Sequence, residues 1–193
     1  DHAPYVVLDG LELFLKESKK FIGYQNVHFI LFGDKVLLDD IIVKTCYLKN
    51  FSTIIHTDEV VKNDTKPIVA LRSFRKSSMA MAVKHVCDGK ADAVISCGNT
   101  GAYMAFSKVF LKTFSFVDRP AIPAIIPSLK DRTVVLDLGA NVECSVENLV
   151  QFALLGDVYA RSCLQLQTPP RVGLLNIGSE NIKGYAILQE ASN

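Results

Sequence analysis

The stretch Ala91-Asp92-Ala93-Val94-Ile95-Ser96-Cys97-Gly98-Asn99-Thr100-Gly101-Ala102 decides how this chain is read. A short apolar run, Ala93 to Ile95, stops at Gly98-Asn99-Thr100-Gly101, and a helical pattern begins at Ala102-Tyr103-Met104-Ala105-Phe106. Strand, glycine turn, helix is the arrangement with which α/β proteins aim backbone N–H groups and a helix dipole at an anion. The layout recurs twice: Leu136-Asp137-Leu138-Gly139-Ala140-Asn141 closes a second expected strand, and Leu174-Leu175-Asn176-Ile177-Gly178-Ser179-Glu180 a third. Glycine and asparagine end each one, so three polar turns are expected at one end of one sheet, where open α/β folds hold ligands. The ligand expected there is a phosphate-like anion.

Working outward, Tyr5 to Lys20 reads as an amphipathic helix with Leu8, Leu11, Phe14 and Leu15 on one stripe. Val27 to Phe32 reads as a buried strand ending at Gly33, and Asp34 as the N-cap of a helix from Lys35 to Tyr47. Ser52 to His56 is a further strand, Thr57 to Lys66, ending at Pro67, a polar loop or a broken helix start, and Ser77 to Cys87 a helix. Beyond the glycine turn, Ala102 to Thr113 is a helix, and Ala121 to Pro127 is extended because its prolines exclude a helix. Thr133 to Leu138 and Arg171 to Ile177 read as strands. Val146 to Leu166 reads as a long helix interrupted or bent near Gly156, and Gly184 to Ala191 as a last helix. Alternation of strand and helix predicts a parallel sheet covered on both faces.

The totals allow a single α/β domain over residues 1–193, a length that buries roughly 70% of the unfolded surface without staples. Hydrophobic residues make up 49% of the chain, which reads as a well-filled sheet core, and no apolar run reaches the ~20 residues of a membrane span. Twenty-one basic against 20 acidic residues gives +1, a balance without general nucleic-acid affinity. Cys46, Cys87, Cys97, Cys144 and Cys163 fit no zinc spacing and no Cys-x-x-Cys pair. With no signal peptide visible, the reducing cytoplasm is the expected compartment. His2, His28, His56 and His85 show no metal-ligand spacing, so neither metal nor cofactor is expected. Both termini read as cut from a longer protein.

Each candidate site has a functional and a structural reading. Gly98-Asn99-Thr100-Gly101 is neither a Walker A loop nor a dinucleotide fingerprint. Its glycines serve a plain βα turn through positive φ, or with Asn99 and Thr100 they cradle an anion. In the second turn Asp137 caps a sheet edge and Asn141 accepts left-handed geometry, or the Asn141 amide donates to a ligand oxygen while Asp137 orients a neighbour, with Gly139 between them. The third turn offers Asn176, Gly178, Ser179, Glu180 and Lys183 within eight positions; Lys183 is either solvated surface or a group at the ligand edge. Arg72 to Met79 concentrates Arg72, Arg75 and Lys76 with three serines. The segment is a serine N-cap with a solvated basic turn, or a contact for phosphate or an acidic partner.

In their order, Asp1-His2-Ala3-Pro4, Lys76-Ser77-Ser78-Met79, Ala91 to Ala102, Asp118-Arg119-Pro120-Ala121, Leu136 to Asn141 and Val172 to Gly178 closely resemble the bacterial phosphate acyltransferases of phospholipid synthesis. The resemblance covers essentially the whole chain. It implies a three-layer α/β/α Rossmann-like fold with a mostly parallel sheet, related to phosphotransacetylases and the isocitrate dehydrogenase group. It also implies transfer of a fatty acyl group from acyl carrier protein to inorganic phosphate by a homodimer, cytoplasmic and peripherally membrane-associated. The family's catalytic lysine maps onto Lys183, with Asn141 and Asn176 as second candidates. Phosphate and substrate contacts fall to Gly98, Asn99, Thr100, Gly101, Asp137, Gly139, Gly178, Glu180, Arg72, Lys76 and Ser77. Where the family often carries Lys-Pro, this chain has Ser145-Val146, losing any anion contact from that lysine. The resemblance further implies that the family's first strand and C-terminal part lie outside this sequence, so that the fragment is deficient and its parent active. Two alternatives stand beside this reading: a phosphotransacetylase using a coenzyme A thioester, and a non-catalytic module that binds acyl phosphate or the carrier.

Overall fold

The structure, a computed structural model, describes residues 2–18, 27–45, 47–129, 131–166, 168–178 and 185–193. The chain divides into two compact units, Asp1–Lys112 and Thr113–Asn193. In the first, α1 (Tyr5–Ser18) buries Leu8 and Leu15 of the expected stripe and leaves Phe14 outside. Strand β1 (Phe29–Gly33) runs parallel to β2 (Ser52–His56), Phe29 pairing with Ser52 and Gly33 with His56. Between them lie α2 (Lys35–Ile42) and the single turn α3 (Leu48–Phe51). Asp34 is the α2 N-cap, its carboxylate accepting from the N–H groups of Val36 and Leu37. This helix stops short of the expected Tyr47, because Lys44 and Thr45 already bond in three-residue turns to Ile41 and Ile42.

After β2 come α4 (Pro67–Ser73), α5 (Ser78–Cys87) and α6 (Thr100–Phe110). Pro67 opens α4 at a position where a missing N–H costs nothing. Leu8, Leu15, Leu38, Ile42 and Leu48 form one core cluster under the strands. A second gathers Val61, Ala70, Met79, Ala80, Val83, Ala102 and Phe106 between α4, α5 and α6.

The second unit holds β3 (Ala124–Pro127), β4 (Arg132–Val135), α7 (Val146–Leu164) and α8 (Ala186–Ser192). While β1 and β2 carry the expected parallel pairing, β3 and β4 are antiparallel. The connection is too short for a crossover helix, which parallel neighbours require; the Ser128 N–H and hydroxyl close it by donating to the Asp131 carbonyl at 2.7 Å. A capping box between Ser145 and Asn148 starts α7, which passes Gly156 without interruption and ends at Gln165, φ +52°. No helix among the described residues is long and apolar enough to cross a membrane.

Two expected strands do not form. Residues 93–95 and 171–177 join no strand ladder among the described residues. Local apolar character is insufficient where no ladder partner lies alongside, since backbone pairing makes a strand. Several of their apolar side chains are exposed, Ile95 at 82%, Leu175 at 92% and Ile177 at 84%, so the 49% hydrophobic content is not all sheet core.

Candidate functional site

Asn99 starts α6. Its Oδ1 accepts from Ala102 N–H at 2.9 Å, and its Nδ2 donates toward the carbonyls of Lys62, Asn63 and Thr65 at 3.1, 3.0 and 2.8 Å. The whole amide is thereby used within the chain, capping the helix and clamping the 62–65 loop. The cap takes the third N–H of the helix and leaves those of Thr100 and Gly101 without an acceptor among the described residues, beside the exposed Thr100 hydroxyl. Two N–H groups at the positive end of a three-turn helix are suited to an anion.

Neither Gly98 nor Gly101 has positive φ, so turn conformation does not explain them. A Cβ on Gly101 would stand 2.8 Å from Pro67 Cγ, and one on Gly98 would stand 3.0 Å from Met79 Cε. Close approach of α4 and α5 therefore accounts for both glycines. Tyr103 holds the segment before them, its hydroxyl donating to Val94 O at 3.2 Å; partial burial pushes the phenol above its ordinary 10.0.

Arg72, Arg75 and Lys76 stand exposed. Ser77 is fully buried: its hydroxyl donates to Phe74 O at 2.7 Å and accepts from Ala80 N–H as the α5 N-cap. The Thr57 hydroxyl fixes the same corner by donating to Lys76 O at 2.7 Å.

In the second unit, Asp137 organises its turn. Oδ1 accepts from Ile122 N–H at 2.8 Å; Oδ2 accepts from Asn141 N–H at 2.8 Å and from Asn141 Nδ2 at 3.1 Å. Burial pushes this carboxyl up, but the N–H groups of Ile122, Asn141 and Ala140 together with the Asn141 amide outweigh it and hold it below the ordinary 3.8. Asn141 Nδ2 also donates to Pro120 O at 2.9 Å, so the amide ties the 120–122 segment to the turn while it bonds Asp137. The left-handed residue is Gly139, φ +78°, with no atom within 4 Å of where its Cβ would be, and not Asn141 as the structural reading expected. Asn176 Oδ1 accepts from the N–H of Ile177, and Gly178 follows half-buried. Glu180 and Lys183 lie outside the described residues.

The sequence reading passed over an open cavity of about 480 Å³ lined by Asp118, Arg119, Glu143, Cys144, Ser145 and Asn148. Asp118 and Gln151 form a reciprocal pair, Asp118 N–H to Oε1 at 3.0 Å and Nε2 to Asp118 Oδ2 at 2.9 Å, while Arg119 Nη1 donates to Glu143 O at 3.1 Å. The visible signal was Asp118-Arg119-Pro120 together with the Ser145-x-x-Asn148 capping pattern.

Comparison with known proteins supplies the context for these turns. The chain is similar to the phosphate acyltransferases of Rhodospirillum rubrum, 44% identical over 192 residues, and Rhodospirillum centenum, 44% over 193, each alignment covering 100% of this chain. The phosphate acyltransferase of Alkaliphilus oremlandii is 37% identical over 191 residues. The chain spans about half the length of these relatives: 53%, 52% and 55%. A family model described as fatty acid synthesis protein matches residues 1–193 throughout, and the chain belongs to that family.

Proposed function

We propose that this chain carries the phosphate-binding part of a phosphate acyltransferase, which moves a fatty acyl group from acyl carrier protein to inorganic phosphate for phospholipid synthesis. The observation that carries the reading is the end-to-end match to relatives bearing that name. The N–H groups of Thr100 and Gly101 support it, since they offer an anion the backbone donors the chemistry needs.

Phosphate is ionised at neutral pH and needs no covalent serine or cysteine. One of its oxygens bonds to the thioester carbonyl carbon, whose oxygen becomes an oxyanion; the carbon–sulfur bond then breaks and its electron pair leaves on sulfur, which takes a proton. In this proposal Gly98, Thr100 and Gly101 hold the phosphate, Asn99 positions their turn, and the Lys183 ammonium supplies the proton or neutralises the developing charge. Asp137, Gly139 and Asn141 shape the second turn, with Asn176, Gly178 and Glu180 in the third. The finer architecture belongs to the same proposal: a single domain over 1–193 with a three-layer Rossmann-like fold and a mostly parallel sheet. So do a homodimeric state and a cytoplasmic, peripherally membrane-bound location.

The test is Lys183→Ala in the full-length protein, supplied with acylated carrier and phosphate. Acyl phosphate formation is expected to be lost with carrier binding retained, and unchanged turnover removes Lys183 from the mechanism. Turnover of acetyl-coenzyme A without turnover of the carrier thioester would favour a phosphotransacetylase instead.

A further inference from the structure

Helix α4 turns Ala70 into the core and leaves Ile68 at 53% and Val69 at 43% exposure, with Arg72 exposed on the same short helix. Lys66 precedes it, and Arg75 and Lys76 follow. From Lys66 to Lys76 the sequence contains four cations and no carboxylate. Among the described residues none of these four has an acidic group within 4.0 Å. Arg75 Nε donates to Leu71 O at 3.0 Å, whereas the side chains of Arg72 and Lys76 hold no bond among the described residues. The acids on the loop alongside do not compensate them: Asp58 lies 3.3 Å from His56 Nε2, and Glu59 and Asp64 reach none of the four cations.

We propose that this face, Ile68 and Val69 framed by Lys66, Arg72, Arg75 and Lys76, docks an acidic protein surface. The proposal deepens the acyltransferase reading and rests on it, since there the macromolecular partner is the protein that carries the acyl thioester. Complementary charge steers such an encounter and sets its orientation, while the apolar pair gives a small dry centre. A membrane surface fits less well. Helices that lie on bilayers bury a continuous apolar face with aromatic or leucine side chains, whereas α4 is seven residues long and offers one isoleucine and one valine.

The experiment measures binding of hexadecanoyl-acyl carrier protein to the full-length protein by fluorescence anisotropy at several salt concentrations. Arg72→Glu combined with Lys76→Glu is expected to weaken binding at least tenfold, and wild-type affinity is expected to fall as salt rises. Ile68→Ser with Val69→Ser is expected to weaken it about threefold or more, and Lys44→Glu, a control reversal after α2, leaves it unchanged. Charge-reversed protein that binds within twofold of wild type, or wild-type binding indifferent to salt, overturns the proposal. So does loss of binding to phosphatidylglycerol vesicles with carrier binding intact, which would give the face to a membrane. Failure of the underlying reading is seen separately, as no acyl phosphate formed by the wild-type protein.

Discussion

Substitution of Asn99 separates two jobs that one amide performs. Serine keeps an N-cap acceptor and loses the clamp; alanine loses both; aspartate keeps the cap and reverses the clamp. The cap contributes about 1 kcal/mol. Of the three clamped carbonyls, Lys62 and Asn63 bond at exposed positions where water takes the place of the amide, whereas the 2.8 Å bond to Thr65 is part-buried. Leaving that carbonyl unpaired costs about 1–2 kcal/mol. Asn99→Ser is therefore expected to lose about 1–2 kcal/mol and Asn99→Ala about 2–3 kcal/mol. In Asn99→Asp a carboxylate oxygen replaces the donor that now sits 2.8–3.1 Å from three carbonyl oxygens. That repulsion outweighs the few tenths to 1 kcal/mol that a negative charge gains at a helix N-terminus, so the loss should at least equal that of alanine. Urea unfolding followed by far-ultraviolet circular dichroism gives each value from the midpoint shift at constant slope. An aspartate variant as stable as wild type would refute the clamp and leave Asn99 a simple cap.

Gly101→Ala should destabilise by about 1–3 kcal/mol through its contact with Pro67, and Pro67→Ala added to it should recover much of that loss; a double variant no better than the single one removes the steric explanation. Gly139→Ala places a Cβ in open space but at φ +78°, so it should cost about 1–2 kcal/mol, with Gly139→Asn milder, in the same unfolding assay. Asp137 titrates below its ordinary 3.8 in the folded protein, so its contribution is present above that value and is lost as pH falls through the depressed folded one. The stability gap between wild type and Asp137→Asn should accordingly hold from neutral pH to about 4 and close below it. A gap that closes between pH 7 and 5 would point to a different group.

Much of the first unit was legible because its signals are local. Asp34 and Ser77 cap their helices within three residues of the N–H groups they satisfy, and β2 spans the residues its β-branched run marks. The family was legible from its ordered motifs. Helix α4 escaped notice because its apolar residues are few and Pro67 reads equally as a stop or as a first helical residue. The 480 Å³ cavity escaped notice because Arg119 and Glu143 are joined by a hydrogen bond spanning 24 positions.

From composition and spacing alone came the starts of α1, α2 and α7, the proline-bounded extended segment and the order of the three glycine–asparagine turns, since each depends on torsions and bonds within a few residues. Tertiary structure decided which strands have partners: Val134 pairs antiparallel with Ile125, while Val94 joins no ladder among the described residues and its carbonyl accepts from the Tyr103 hydroxyl. It also decided what the turn residues do, for the acceptors of Asn99 lie 34 to 37 positions away in sequence. A cap is specified by neighbouring torsions; a ladder or a clamp exists only when distant backbone is brought within 3 Å or so by the packing of everything between.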